Sequence, residues 1–262
     1  MSDISKKLHS CIFGSKNTWD DWHMIPIKRP FISNAELKEK TVDLEGADGE
    51  LDYTTALRGY PLYENRKDTL KFRILDSPDF ESVMKRRNDI ASYLHGRYRK
   101  LILEDEPQYY YQGRFELTDN KFKGTRDWAD INIRYNLEPF KYSILQSTED
   151  WLWSPFSFED GVIQKSFFYG IETSSDDWKY IENLNGIVGD MAVSPVIKVN
   201  VDSGKTIDIW TYSTFTKSWS GRASYSISQT DSNSGLVFDI TTTRLAYRGY
   251  GTIDITFRTG RL

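Results

Sequence analysis

The chain has one cysteine, Cys11, in 262 residues, so it cannot close an internal disulfide and suits folding in a reducing cytoplasm. It has no Asn-x-Ser/Thr triplet and hence no acceptor for N-linked glycans. Its three histidines, His9, His23 and His95, show no His-x-His or His-x-x-x-His spacing, and Cys-x-x-Cys is missing too. None of the usual zinc patterns is present, and no metal or other cofactor is expected. Basic charge is not in excess. Lys and Arg total 34 against 38 Asp and Glu, a net charge of −4, which is the reverse of the balance in a dedicated nucleic-acid binder. Long apolar runs are also missing. The stretch Met1 to Gly14 carries Asp3, Lys6 and Lys7, unlike a signal peptide or membrane helix, so no membrane insertion is expected.

Catalytic signatures are equally scarce. Gly204-Lys205-Thr206 ends like a phosphate loop, but the glycine required five positions earlier is Val199, so the segment reads as a β-turn. There is no Gly-x-Ser-x-Gly elbow, and Cys11, near the terminus, has no evident activating partner. Asp176-Asp177-Trp178 and Glu149-Asp150-Trp151 set acids beside aromatics, as glycosidase sites do. Acidic loops ending in a packed Trp look the same. The chain is read as a non-enzyme.

What the sequence has in quantity is aromatic side chains. With 16 Tyr, 14 Phe and 8 Trp, it favours strands and large contact surfaces. Alternation of apolar and polar residues predicts strands over Thr69–Ile74, Tyr110–Leu117 and Ile131–Tyr135. One helix is expected, starting at Ser77-Pro78, with Phe80, Val83, Ile90, Ala91 and Leu94 on one face and Gly96 as the stop. After Glu138-Pro139-Phe140-Lys141-Tyr142 the composition shifts toward Ser, Thr, Gly and Trp and no long helix recurs. Short strands are predicted at Val196–Val201, Thr206–Tyr212, Ala223–Ser228, Leu236–Thr241 and Thr252–Arg258, the spacing of an antiparallel sandwich or jelly roll. The fold class is therefore mainly β with one α-helix, divided into domains at 1–140 and 141–262.

Several ordered motifs resemble a known family. Asp21-Trp22-His23-Met24 and Ile32 precede Lys40-Thr41-Val42-Asp43-Leu44-Glu45-Gly46-Ala47-Asp48-Gly49-Glu50-Leu51-Asp52, followed by Arg58-Gly59 and Tyr63-Glu64-Asn65-Arg66. Leu94-His95-Gly96, the Lys100–Leu103 strand, Glu104-Asp105-Glu106-Pro107 and Tyr109-Tyr110-Tyr111-Gln112-Gly113-Arg114 come next, and the chain closes on Ile255-Thr256-Phe257-Arg258-Thr259-Gly260-Arg261-Leu262. In order and spacing this series is similar to the distal tail protein (Dit) family of siphophages, in detail over residues 17–142 and in outline beyond.

The resemblance implies a virion protein at the distal end of the tail, made and assembled in the host cytoplasm. It implies a hexameric ring built by a β-barrel-like N-terminal domain, with a galectin-like C-terminal domain facing outward. The implied partners are the tail tube protein, a tail-tip protein and receptor-binding or baseplate proteins. The ring would enclose a channel for DNA without binding DNA specifically.

Three sets of residues follow as candidates. Gly46, Asp48, Gly49 and Asp52 form the family-like turn. Its glycines permit positive φ and Asp48 can close an Asx-type turn, so it reads as a hairpin tip, either a ring-building loop or a plain surface turn. Arg86, Arg87, Arg97 and Arg99 oppose Glu104, Asp105 and Glu106, and such a split can supply the two unlike patches of a head-to-tail ring. A solvated helix face with local ion pairs reads the same way. Trp151, Trp153, Trp178, Trp210 and Trp219 crowd the second half. Most read as core, while Trp219 in Lys217-Ser218-Trp219-Ser220-Gly221 looks loop-borne and is the candidate sugar contact of an alternative function, a carbohydrate-binding host-adsorption component holding cell-wall saccharide.

Overall fold

The computed structural model describes residues 9–46, 48–75, 79–118, 128–147 and 168–262. In chain order the strands are β1 (Cys11–Phe13), β2 (Lys16–Asn17), β3 (Met24–Pro26), β4 (Thr41–Asp43), β5 (Glu50–Asp52), β6 (Arg66–Ile74), β7 (Arg97–Leu103), β8 (Tyr109–Leu117) and β9 (Ala129–Leu137). They continue with β10 (Lys141–Ser143), β11 (Ile171–Glu182), β12 (Val196–Val201), β13 (Ile207–Ser213), β14 (Ser218–Tyr225), β15 (Gln229–Asp231), β16 (Thr242–Thr256) and β17 (Gly260–Arg261). Helix α1 (Phe80–Leu94) lies between β6 and β7, and the short α2 (Leu184–Val188) follows β11. The protein is mainly β with one long helix, and its two large sheets curl into half-barrels.

Two compact units divide these residues. The first holds Met1–Leu37, Tyr63–Lys141 and Leu262, and the second holds Lys38–Leu62 and Tyr142–Arg261. The segment Lys38–Leu62, assigned from sequence to the N-terminal domain, thus groups with the second unit.

In the first unit seven strands run in the order β2-β1-β7-β8-β9-β6-β3, each neighbour antiparallel to the next. Alternation decides which side chains face inward. Leu70, Phe72 and Ile74 of β6 meet Ile131, Ile133, Tyr135 and Leu137 of β9 in one buried cluster. Phe13 stands edge-on to Phe115 at 5.1 Å and 86°. Ile90 and Leu94 of α1 join that cluster, and Val83 is also fully buried, but Phe80 is 49% exposed, so the helical stripe is one residue shorter than the periodicity suggests. The expected cap, Ser77-Pro78, lies outside the described residues. Asp79 caps the helix, its Oδ1 accepting from Ser82 N at 2.8 Å. Gly96 stops it at φ +69, the left-handed conformation glycine adopts without steric cost.

The second unit has a sheet ordered β14-β13-β16-β12-β15, with β11 also paired to β16. Its organiser is the 15-residue β16. The first part of β16 pairs with β13 and its last part with β12. The changeover falls at Gly249 and Gly251, with φ +120 and +138. A Cβ at either would collide with a carbonyl oxygen, that of Thr206 or of Asn200. The strand can switch partners there only because the backbones approach without side chains between them.

This explains two differences from the sequence reading. The expected strand Thr252–Arg258 is only the end of β16, because its two glycines look like a terminus. Leu236–Thr241 is not a strand and makes one isolated bridge, Val193 to Phe238. Leu236 and Phe238 are buried nonetheless, so their alternation reports burial rather than pairing. Cys11, read as sitting near a flexible terminus, is fully buried in β1, and burial pushes its thiol far above the ordinary range.

Candidate functional site

Strands β4 and β5 form a two-stranded hairpin of their own, in the register Thr41 to Asp52, Val42 to Leu51 and Asp43 to Glu50. The tip carries Gly46 at φ +86 and Gly49 at φ +79, as the turn chemistry requires. The Asx-type bond sits at the far end, where Asp52 Oδ1 accepts from Thr54 N at 2.7 Å, and Asp48 has no hydrogen bond among the described residues. The bonds from Thr54 hold the Asp52 carboxyl below the usual carboxylate range. Every described residue from Lys38 to Tyr53 is exposed. Val42, Leu44, Leu51 and Tyr53 are 40–45% exposed and Leu57 86%. A lone two-stranded hairpin is marginal in water, and one with free edges and apolar side chains on view is built to be covered.

The charged candidates are employed within their own unit. Asp105 accepts from Arg29 Nε at 2.8 Å and contacts His9 Nδ1 at 3.2 Å, and the Arg29 bond holds its carboxyl below the ordinary range. Glu104 accepts from Ser10 N at 2.8 Å, and Glu106 takes Lys141 Nζ at 3.2 Å and the Tyr111 hydroxyl at 3.1 Å. On the basic side, Arg86 Nη1 donates to the Leu75 carbonyl at 2.7 Å, and Arg99 lies over the Tyr93 ring at 4.6 Å. Arg97 is exposed. Arg97 opens β7 and Glu104 follows its last residue, a separation of roughly 20 Å along the strand. Charge reversal at Arg86 removes a fold contact, and Arg97 is the cleaner position for testing an intersubunit charge contact.

The outward face of the second sheet holds a cluster of five aromatics, of which Tyr180 is 52% exposed and Trp178, Trp210, Tyr212 and Trp219 are half-buried. In β13 the buried Ile207 and Ile209 alternate with Trp210 and Tyr212, which point the other way. Cross-strand partners share a face, and three rows result. Ser224, Asp208 and Arg248 form one row, Arg222, Trp210, Ala246 and Tyr180 the next, and Trp219, Tyr212, Arg244 and Glu182 the third. Trp178 joins from β11, its ring 4.4 Å from that of Trp210 and tilted by 45°. Trp219 lies 5.4 Å from Tyr212 and 6.4 Å from Trp210. None of these three tryptophans belongs to the buried core. Trp219, expected on a loop, is a strand residue, because β14 begins at Ser218 rather than at Ala223. Trp151 and Trp153 lie outside the described residues.

Over 97% of this chain and 99% of the other, the structure superposes on SPP1 Dit (gp 19.1) with a TM-score of 0.62 and 12% sequence identity. The fold is Dit-like. SPP1 Dit is described as a paradigm of the hub adsorption apparatus of phages infecting Gram-positive hosts. No family model and no curated protein matches the sequence. At this identity the likeness is one of fold, carried by strand order and core alternation rather than by shared side chains.

Reasoning from sequence missed that Trp178 and Trp210 lie half-buried on the outer face of the sheet rather than in the core. The signal was available in Ile207-Asp208-Ile209-Trp210-Thr211-Tyr212-Ser213. A strand with isoleucines on one parity and aromatics on the other buries only one of the two sets unless a second layer covers it. Asp176 accepts from the Tyr250 hydroxyl at 3.3 Å, and Glu149-Asp150 lies outside the described residues. Gly204-Lys205-Thr206 is a turn, with Lys205 N donating to Asp202 O at 3.0 Å.

Proposed function

We propose that the chain is a non-catalytic structural subunit of a phage tail hub. Six copies close a ring at the distal end of the tail of a siphophage or prophage-derived particle, between the tail tube protein and a tail-tip protein, around a channel for DNA. The N-terminal domain builds the ring, and a galectin-like C-terminal domain faces outward to carry receptor-binding or baseplate proteins. The protein assembles in the host cytoplasm and ends in the virion.

The observation that carries this reading is the fold likeness to SPP1 Dit over almost the whole of both chains. The exposed hairpin of β4 and β5, which lies within the first 140 residues but groups with the second compact unit, supports subunit assembly without assigning it to one unit. A head-to-tail ring needs each subunit to offer one patch to a different patch on its neighbour, and a projecting pair of strands with uncovered Val42 and Leu51 suits one side of such a contact. Net charge is −4, which suits a conduit that must not hold the DNA it passes.

Electron microscopy with light-scattering mass analysis tests the proposal. A hollow ring of about six subunits is expected. A lasting monomer at high concentration, also in the presence of tail tube protein, overturns it. The aromatic face of the second sheet favours a second reading, an adsorption component that holds saccharide, and the two roles are compatible in one molecule.

A further inference from the structure

We propose that the outward face of the second sheet, at Trp210, Trp219 and Arg222, binds a soluble, acid-bearing saccharide. The inference rests on the adsorption reading and is independent of the ring.

The first argument is the residual chemistry of the face. Asp208 is taken by Arg248 Nε at 2.9 Å and by Ser224 Oγ at 2.6 Å, and Glu182 by Arg244 Nε at 2.7 Å. Arg222 differs. Its guanidinium lies over the Trp210 ring at 4.5 Å, and it has no carboxylate partner among the described residues. An exposed guanidinium with its N–H donors free, held in place by stacking, is a receptor for a planar carboxylate or for a phosphate.

The second argument is the shape of the aromatic surface. Sugar rings present C–H faces that pack on indole, and because the Arg222 guanidinium already covers Trp210, Trp219 is the ring that takes this contact while Trp210 holds the guanidinium in place. Trp210 and Trp219 are set at 58°, and Trp178 and Trp210 at 45°. Rings so tilted make no level platform for a flat crystalline polymer. They line a curved surface that one or two residues of a twisting, soluble chain can follow. Beneath them Ala246 is 1% exposed, so the rings crowd a floor with no side chain to compete for the space above.

A protein partner fits less well. The core of a protein interface is depleted in charge, whereas this face surrounds its ring cluster with Arg222, Asp208, Arg248, Arg244 and Glu182. Stacking groups bordered so closely by polar ones suit a ligand that is itself both hydroxylated and apolar.

The test applies the full chain to an array of neutral and uronic-acid-bearing or sialic-acid-bearing glycans, with hits followed by tryptophan fluorescence. Binding to acid-bearing glycans is expected, weakened about tenfold by Trp219→Ala or Arg222→Ala, abolished by Arg222→Glu and reduced by salt. Arg222 is exposed on an edge strand, so its variants keep the wild-type melting temperature and report binding alone. A blank array, preference for neutral glycans, or binding indifferent to Arg222→Glu overturns the proposal. If Arg222→Glu blocks attachment of another tail protein while the array is blank, the face is a protein interface instead. A ring that forms normally in any of these cases leaves the hub reading standing.

Discussion

Arg66 donates from Nε to the carbonyl oxygen of Pro139 at 2.7 Å, which ties the start of β6 to the segment just after β9. The same guanidinium donates from Nη1 to Ser33 O at 3.0 Å, and the residue is 3% exposed. One side chain thus ties the start of β6 to two segments, at Ser33 and Pro139, that lie outside the strands. Arg66→Ala leaves two carbonyls without their donor and a void beside Tyr111, whose ring the guanidinium overlies at 5.5 Å. A loss of about 2–4 kcal/mol is expected, read as a lower denaturant midpoint. Arg66→Lys recovers only part of it, since an ammonium cannot span both carbonyls.

Gly251→Ala tests the partner switch in β16. The new methyl meets Asn200 O, and φ +138 is strained for any L side chain. A destabilisation of about 3 kcal/mol is expected, seen as a lower thermal transition. Gly204→Ala, at a turn with open space around it, costs less, about 1 kcal/mol, from its positive φ alone.

The hairpin provides a test of assembly that spares the fold. Val42 and Leu51 face each other across β4 and β5 and are 40% and 45% exposed. The double variant Val42→Asp, Leu51→Asp keeps its circular dichroism spectrum and forms no rings in sedimentation velocity. Rings of wild-type mass in that variant place the subunit contact elsewhere.

Acid dependence follows from Asp105. Its carboxyl is held below the ordinary range, first by the hydrogen bond from Arg29. A depressed folded-state value means the stabilisation is complete above the unfolded value, near about 3.9, and is lost as pH falls through the lower folded value. Wild type is therefore more stable than Asp105→Asn at pH 7, by under about 1 kcal/mol because the pair is partly solvated. The gap closes as melts are taken from about pH 5 down to about pH 2.

Cys11 offers a simple chemical check. Buried in β1 with its thiol pushed up by desolvation, it should not react with a thiol reagent in the native protein. One equivalent should react after denaturation. Prompt native labelling would show that β1 opens freely from β7.

How far the sequence reaches depends on the range of each interaction. Alternation in Thr69–Ile74, Tyr110–Leu117 and Ile131–Tyr135 is local, and all three lie within β6, β8 and β9. The helix face and its Gly96 stop are equally local. The tip glycines Gly46 and Gly49 announce their positive φ because glycine, lacking a Cβ, adopts it at the least steric cost. The mainly β class and the absence of any sustained apolar run follow from composition and short-range pattern.

Other features depend on what lies opposite a residue, which no local pattern encodes. Gly249 and Gly251 look like breakers in sequence and are the crossing point of the longest strand, because Thr206 and Asn200 from elsewhere in the chain press against them. Glu104, Asp105 and Glu106 read as one acidic patch, but each meets a different partner brought from about 35 to 96 residues away. Trp210 and Trp219 are equally apolar whether covered or bare. Their partial exposure is set by the sheet, which buries Ile207 and Ile209 on one face and leaves the two tryptophans half-buried against each other on the opposite face.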